Sequence, residues 1–172
     1  MTTANKITLA RVVMIPIFLA LAYTGKLYWA FGVYVLACLS DAADGYVARH
    51  YNQISNFGKF MDPLADKVLV LSAMCFFVEQ GIMPGWCVAV VLFREFAVSG
   101  LRLIAVEQGQ VIAAAWSGKI KTACTMVGLS AMLLFSHVDL VNLIFTALIM
   151  ITTVYSGIEY FYVNRDVFKD QN

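Results

Sequence analysis

Charged residues are scarce in this chain of 172 residues, and proline is scarcer still. Lys, Arg, Asp and Glu together make up 13% of the sequence, against about 25% in an ordinary soluble domain. There are only 3 prolines and no Pro-rich or Ser/Gly-rich tract, which excludes a disordered chain and a collagen-like repeat. The net charge is +1, from 12 Lys and Arg against 11 Asp and Glu. That balance gives no basic field for nucleic acid, so we predict no nucleic-acid partner.

The cysteines lack the spacing of a zinc or redox site. They lie in separate apolar segments and form no C-x-x-C pair: Cys38, Cys75, Cys87 and Cys124. We therefore predict free, buried thiols that pack as small hydrophobic side chains.

What the chain has in excess is apolar surface. Hydrophobic residues make up 61% of the sequence, against roughly 45–50% in a soluble domain. A spanning helix needs about 20 mostly apolar residues. Six segments qualify, some only if polar interruptions are tolerated: 7–23, 27–48, 64–78, 86–106, 120–135 and 140–162. The sequence predicts an all-α integral membrane protein with six transmembrane helices, forming a single domain over residues 1–172.

The basic residues set the orientation of these segments. Almost all of them lie at the ends and connections that share one side of the bilayer: Lys6, Arg11, Arg49, Lys59, Lys67, Arg102, Lys119, Lys121, Arg165 and Lys169. Lys26 is the only basic residue near the connections on the other side. Because cytoplasmic loops are enriched in Lys and Arg, we expect both termini in the cytoplasm.

No transit peptide is evident, which favours a bacterial plasma membrane.

Four carboxylates interrupt this apolar pattern in two pairs. Asp41 and Asp44 are three residues apart, and Asp62 and Asp66 are four apart, so each pair lies on one face of a helix. Polar residues between the pairs allow the chain to reverse, which would bring the four side chains together. Pro63 complicates the second helix, because the residue before a proline avoids the α region. A local rule would start this helix near Asp62, whereas we predict a continuous or kinked helix.

Four clustered negative charges require compensation. Either some carboxylates are protonated, or two divalent cations balance them. Hard oxygen ligands suit Mg²⁺, Mn²⁺ or Ca²⁺ and not a structural zinc. Gly45, Ala48 and Gly58 leave space for a ligand beside the metals. The alternative is an ordinary set of solvated charges in a cytoplasmic loop.

The stretch from Asp41 to Asp66 reads D-x-x-D-G-x-x-A-R-x8-G-x3-D-x3-D. It resembles the motif of the CDP-alcohol phosphotransferases at every fixed position. The resemblance implies two divalent cations held by Asp41, Asp44, Asp62 and Asp66. It also implies that Asp66 is the general base, that the nucleotide of the donor is bordered by Gly45, Ala48 and Gly58, and that the protein is a homodimer. Arg49 would either hold a donor phosphate or pair with a motif carboxylate.

A second group of charges bears on the acceptor. Arg94 and Arg102 are two helical turns apart, and Lys119 and Lys121 begin a later apolar segment. Converging Arg and Lys side chains suit a phosphorylated acceptor. Alternatively, the lysines only mark topology, and Arg94 pairs internally with a carboxylate such as Glu95 or Glu159.

The sequence R-E-x3-S-x2-R followed by G-K-x-K-T resembles the branch of that family that makes phosphatidylglycerophosphate. The resemblance implies transfer from CDP-diacylglycerol to glycerol 3-phosphate in the bilayer, at an active site facing the cytoplasm. Asn5 and Thr8 would belong to the donor site or simply to a helix start. Two rivals remain: the same chemistry with inositol phosphate, phosphatidylglycerol or serine as acceptor, and a divalent-cation transporter, for which intramembrane carboxylates are also natural.

Overall fold

The computed structural model describes residues 3–50, 56–110, 112–113 and 115–168, and their backbone forms helices joined by short turns and irregular segments. Side chains are described for 7–41, 61–110, 112–113, 115–165 and 167. The helices are α1 (Thr3–Tyr23), α2 (Leu27–His50), α3 (Asn56–Glu79), α4 (Gly85–Glu107), α5 (Trp116–Leu134) and α6 (Asp139–Val163), followed by a 3-10 turn (Arg165–Phe168). No strand occurs within these ranges. The predicted all-helical class and the six helical segments are confirmed.

Tight turns join the first helices. Gly25 (φ 76°) and Gly81 (φ 70°) lie two residues past the ends of α1 and α3. This left-handed conformation suits glycine, which has no Cβ to clash with the preceding turn. The next amide in each turn donates back into the helix: Lys26 N to the carbonyl of Leu21 at 3.0 Å, and Ile82 N to that of Phe77 at 2.9 Å. The turns are short enough to make consecutive helices antiparallel neighbours.

Helix α3 continues through Pro63, as the sequence predicted and against the local rule. A proline inside a helix costs about 3 kcal/mol, so the surrounding packing has to offset it. The residues that follow supply that packing, because Ala65 and Leu69 are both buried. Burial of this face against the bundle overrides the local preference and keeps Asp62 and Asp66 on one helix.

The main core draws buried side chains from all six helices, and α3 contributes the most. Phe18 and Tyr34 meet there with ring centroids 5.5 Å apart, and Leu69, Phe77 and Leu129 are fully buried in the same cluster. The four cysteines are free. Their predicted burial is confirmed for Cys87, whereas Cys38 and Cys124 are half-buried. The prediction is wrong for Cys75, which is exposed.

The outer surface carries large apolar side chains on every helix, among them Val13, Trp29, Val68, Phe93, Val127 and Ile151. By length and composition, however, α6 is the one described helix that qualifies as a membrane span. Helices α1 and α2 contain shorter apolar stretches, Ile7–Tyr23 and Leu27–Asp41.

Candidate active site

A buried arginine ties α1 to the first aspartate of the motif. Arg11 is fully buried (0% exposed), and its Nη1 donates to Oδ1 of Asp41 at 2.8 Å. Its Nε donates to Oγ of Ser40 at 3.3 Å. An arginine with no access to water must be paired and hydrogen-bonded, so this contact fixes where Asp41 lies. Sequence analysis used Arg11 only to set orientation. Its position inside the apolar segment 7–23 was the signal that could have indicated a buried, paired side chain.

Helix α1 also contacts the third aspartate of the motif, Asp62 of α3, through Thr8. Thr8, which is buried, donates its hydroxyl to Oδ1 of Asp62 at 2.5 Å. Because α1 already includes Thr3, Thr8 lies within the helix and does not cap its start. Helix α1 therefore positions one carboxylate from α2 and one from α3.

We expect Arg11→Met to lower the free energy of unfolding by about 2 kcal/mol, the cost of leaving a charged partner without its hydrogen bond. The effect stays at this level because the side chain of Asp41 is 36% exposed and water can take over part of the interaction. Thermal unfolding of the purified protein measures it. The double variant Arg11→Met/Asp41→Asn should recover part of the loss, and no recovery would show that the pair is not what Arg11 contributes.

Asp66 lies close enough to several charged side chains for them to act on its carboxylate: Asp41, Arg11, Lys121 and Glu95. Its Oδ1 is buried and has no hydrogen-bond partner among the described residues. A buried carboxylate oxygen without a partner is costly, which makes this atom available to a ligand.

The second group of charges is centred on Glu95 of α4. Its Oε1 accepts from Nη1 of Arg94 at 3.0 Å and from Nζ of Lys121 at 2.8 Å. Nζ of Lys67 lies 3.9 Å from its Oε2 and donates to Oγ of Ser99 at 3.1 Å. The alternative interpretation of Arg94, an internal pair with Glu95, is therefore what the structure shows.

The predicted acceptor residues nevertheless converge. A cleft of about 580 Å³ is lined by Arg94, Arg102 and Lys119, together with Lys67. Lys121 lines a small cavity of about 40 Å³ beside Asp66. Both cavities include Lys67, Glu95 and Thr122 in their walls. Three of the four predicted acceptor residues thus line one cleft with Lys67. The fourth, Lys121, lines the neighbouring cavity with Asp66 and Lys67.

Aromatic side chains hold two of these cations. Nε of Arg102 donates to the hydroxyl of Tyr160 at 2.7 Å, and its guanidinium lies 5.4 Å from the centre of that ring. Nζ of Lys119 lies 4.8 Å from the ring of Trp116. A cation over an aromatic face is stabilised by about 0.5–1 kcal/mol at an exposed site. Sequence reasoning missed Tyr160 and Lys67, although Lys67 directly follows Asp66.

Glycines allow the stem of Arg94 to pass between α5 and α6. A Cβ added at Gly118 would lie 3.4 Å from Nη2 of Arg94, and one at Gly157 would lie 3.3 Å from its Cγ. Both distances are at or below ordinary van der Waals contact. A larger residue at Gly157 would have to displace the arginine.

The carboxylates of this site have the ligand chemistry that a divalent cation requires. Carboxylate oxygens are the ligands that Mg²⁺ and Mn²⁺ prefer, and Asp66 has a buried oxygen free to serve. Within the described side chains, no three His, Cys, Asp or Glu residues are grouped closely enough to hold one ion. Several residues of the predicted donor site lie outside the described side chains: Asn5, Asp44, Gly45, Ala48, Arg49 and Gly58.

Comparison with known proteins shows the family of this chain. The family model "CDP-alcohol phosphatidyltransferase" matches residues 1–157. The CDP-diacylglycerol–glycerol-3-phosphate 3-phosphatidyltransferase of Bacillus subtilis (strain 168) is 41% identical over 188 aligned positions, which cover 98% of this chain and 97% of that protein. A probable phosphatidylglycerophosphate synthase of Mycobacterium tuberculosis (strain ATCC 25618 / H37Rv) is 37% identical, covering 91% of this chain and 78% of that protein.

A third relative extends the similarity to another bacterial group. The CDP-diacylglycerol–glycerol-3-phosphate 3-phosphatidyltransferase of Escherichia coli (strain K12) is 34% identical, and the match covers 96% of each chain. The family is in general divalent-cation dependent. The family prediction made from the aspartate motif is confirmed, and the chain belongs to the CDP-alcohol phosphatidyltransferase family.

Proposed function

We propose that this chain transfers a phosphatidyl group from CDP-diacylglycerol to glycerol 3-phosphate, giving phosphatidylglycerophosphate and CMP. The observation that carries the proposal is the basic cleft that opens beside Asp66. An acceptor bearing a phosphate would be drawn to these cations, and its hydroxyl could then reach the carboxylate. The names of the curated relatives specify the same donor and acceptor.

The protein acts in this proposal as a six-span enzyme of a bacterial plasma membrane, as a homodimer with both termini and the active site on the cytoplasmic side. Charged residues lower the hydropathy of several helices, and some of the most central of these charges face inward. Arg11 and Lys121 are buried, and Glu95 is 18% exposed. Ionisable groups inside membrane bundles usually face the interior and pair with one another, which is the arrangement found here.

The four motif aspartates, Asp41, Asp44, Asp62 and Asp66, would hold two divalent cations, Mg²⁺ or Mn²⁺. Bound cations would neutralise the diphosphate of the donor and stabilise the departing CMP. Arg11 and Thr8 would fix the orientations of Asp41 and Asp62. The remaining donor contacts come from Asn5, Gly45, Ala48, Arg49 and Gly58.

Asp66 would then act as general base. It takes the proton from a hydroxyl of the acceptor, and that oxygen forms a bond to the β-phosphorus of the donor. The bond between this phosphorus and the bridging oxygen breaks, and CMP leaves with the electron pair. A general base must lie within hydrogen-bond reach of the hydroxyl. The small cavity beside Asp66, which shares Lys67, Glu95 and Thr122 with the basic cleft, would be such a position.

Arg94, Arg102, Lys119 and Lys121 would bind the phosphate of the acceptor. Glu95 accepts hydrogen bonds from two of these cations, Arg94 and Lys121. An incoming phosphate would share Arg94 and Lys121 with Glu95 and gain charge-assisted hydrogen bonds from both. Lys67, which lines both the cleft and the cavity beside Asp66, would contact either the phosphate or the reacting oxygen.

The test is CMP release by the purified protein with CDP-diacylglycerol and Mg²⁺ or Mn²⁺. Glycerol 3-phosphate, inositol phosphate, phosphatidylglycerol and serine are compared with a reaction lacking acceptor. We expect release that depends on glycerol 3-phosphate. Faster release with another acceptor would retain the aspartate chemistry and reject the acceptor proposed here. Metal flux in proteoliposomes without CMP release would favour the transporter.

Gly157→Val should raise the KM for glycerol 3-phosphate several-fold with a smaller change in kcat. The new side chain meets the stem of Arg94, whose Cγ lies 3.3 Å from the position of the added Cβ, and moves the guanidinium out of the cleft. Steady-state kinetics measure the effect. Gly100→Val is the matched control, since a Cβ there meets nothing within 4 Å among the described atoms. Equal effects of the two variants would contradict the explanation.

A further inference from the structure

A second large cavity is a groove between α4 and α6, which shares Arg94 with the acceptor cleft but otherwise has different walls. It has a volume of about 600 Å³, within the range of small-molecule sites, about 300–1,000 Å³. Most of its walls are apolar side chains, including Val90, Phe93, Val154 and Ile158. Such a groove on the outer surface of a membrane bundle is suited to a hydrocarbon chain.

The groove also carries positive charge. Arg165 lines one end, with its guanidinium 5.4 Å from the ring centre of Tyr162. Arg94 forms part of the wall, and its buried Nε has no hydrogen-bond partner among the described residues. No acidic side chain occurs among the described residues that line the groove. An apolar channel with arginines and no carboxylate is complementary to a lipid with an anionic headgroup.

We propose that this groove binds a resident diacyl phospholipid with an anionic headgroup. Its phosphate lies at Arg165, and one acyl chain follows α4 and α6 toward Val90 and Thr153. This proposal rests on the membrane-spanning arrangement proposed above. The lipid is distinct from the CDP-linked donor, because the described lining residues come only from α4, α6 and the following 3-10 turn. The aspartates that would hold the diphosphate of the donor lie on α2 and α3.

Native mass spectrometry of the full chain in detergent tests this, with phosphatidylglycerol and phosphatidylcholine of identical acyl chains as probes. We expect about fivefold greater retention of phosphatidylglycerol, the preference that one basic residue near a lipid phosphate supplies. Arg165→Gln should bring the two lipids close to equal retention. Val154→Trp, or Ile158→Trp if the first variant fails to fold, should lower retention of both lipids by filling the groove.

Two controls match these variants. Lys26→Gln removes a cation from the opposite end of the bundle, and Ile151→Trp enlarges an exposed side chain of α6 that does not line the groove. Both should retain lipid as the wild type does. Lipid preference unchanged in Arg165→Gln, or retention unchanged in both groove-filling variants, would overturn the proposal.

Two further results would assign the groove to another occupant. Displacement of phosphatidylglycerol by an equimolar amount of CDP-diacylglycerol would make it part of the donor site. Conversion of a dimer to a monomer by Val154→Trp, with lipid retention intact, would make it an interface between two copies of the chain. CMP release is assayed on the same preparations. A wild type that releases no CMP but shows the expected lipid pattern would refute the proposed function and support this inference.

Discussion

Asp66→Asn should lower kcat by about 10²–10⁴-fold, the usual contribution of general acid–base catalysis. The amide keeps the size of the side chain and one oxygen, but it cannot accept the proton of the acceptor hydroxyl. Binding of CDP-diacylglycerol should persist, because three aspartates of the motif remain. Single-turnover CMP release measures the chemical step, and equilibrium binding of the donor is measured in parallel.

Asp139→Asn is the control for this variant, because Asp139 is an exposed carboxylate in the first turn of α6, at the other end of the bundle from Asp66. It should release CMP at the wild-type rate. Near-normal turnover by Asp66→Asn would exclude Asp66 as the base. Loss of donor binding together with turnover would reduce its role to that of a ligand.

Lys121→Met should raise the KM for glycerol 3-phosphate by about 10–100-fold, equivalent to one charge-assisted hydrogen bond of roughly 1.5–3 kcal/mol. Lys121 is buried and donates to Glu95 at 2.8 Å, so its removal has two consequences. The acceptor phosphate loses a donor, and Glu95 becomes a poorly compensated negative charge in the cleft. Both act against binding of an anion.

The second consequence can be separated from the first. Lys121→Met/Glu95→Gln removes the uncompensated charge and should recover part of the lost affinity for glycerol 3-phosphate. The KM for CDP-diacylglycerol should change little in either variant. An unchanged acceptor dependence in Lys121→Met would show that the basic cleft does not bind the phosphate of the acceptor.

The sequence predicted the helices well because their signals are local. Apolar runs mark the six segments, and Gly25 and Gly81 mark two of the turns. Pro63 shows the limit of local rules, since the packing of Ala65 and Leu69 keeps α3 continuous across it. Membrane spans were harder to judge, because charged residues that face the interior lower the hydropathy of a segment just as exposed ones would.

The contacts between helices were not predictable from spacing. Arg11 and Asp41 are 30 residues apart, and Lys67 and Ser99 are 32 apart. A helical periodicity shows which residues share a face but not which helix that face meets. For this reason the basic residues of the cleft could be named from their charge, whereas Lys67, Tyr160 and the central position of Glu95 required the three-dimensional structure.

The most direct test of the central claim follows one oxygen atom. Glycerol 3-phosphate carrying ¹⁸O in its primary hydroxyl is supplied with CDP-diacylglycerol and Mg²⁺, and the products are analysed by mass spectrometry. Attack of that hydroxyl on the β-phosphorus predicts phosphatidylglycerophosphate that retains the label and CMP that contains none. Label in CMP, or CMP release without a labelled lipid, would contradict the transfer reaction proposed for this protein.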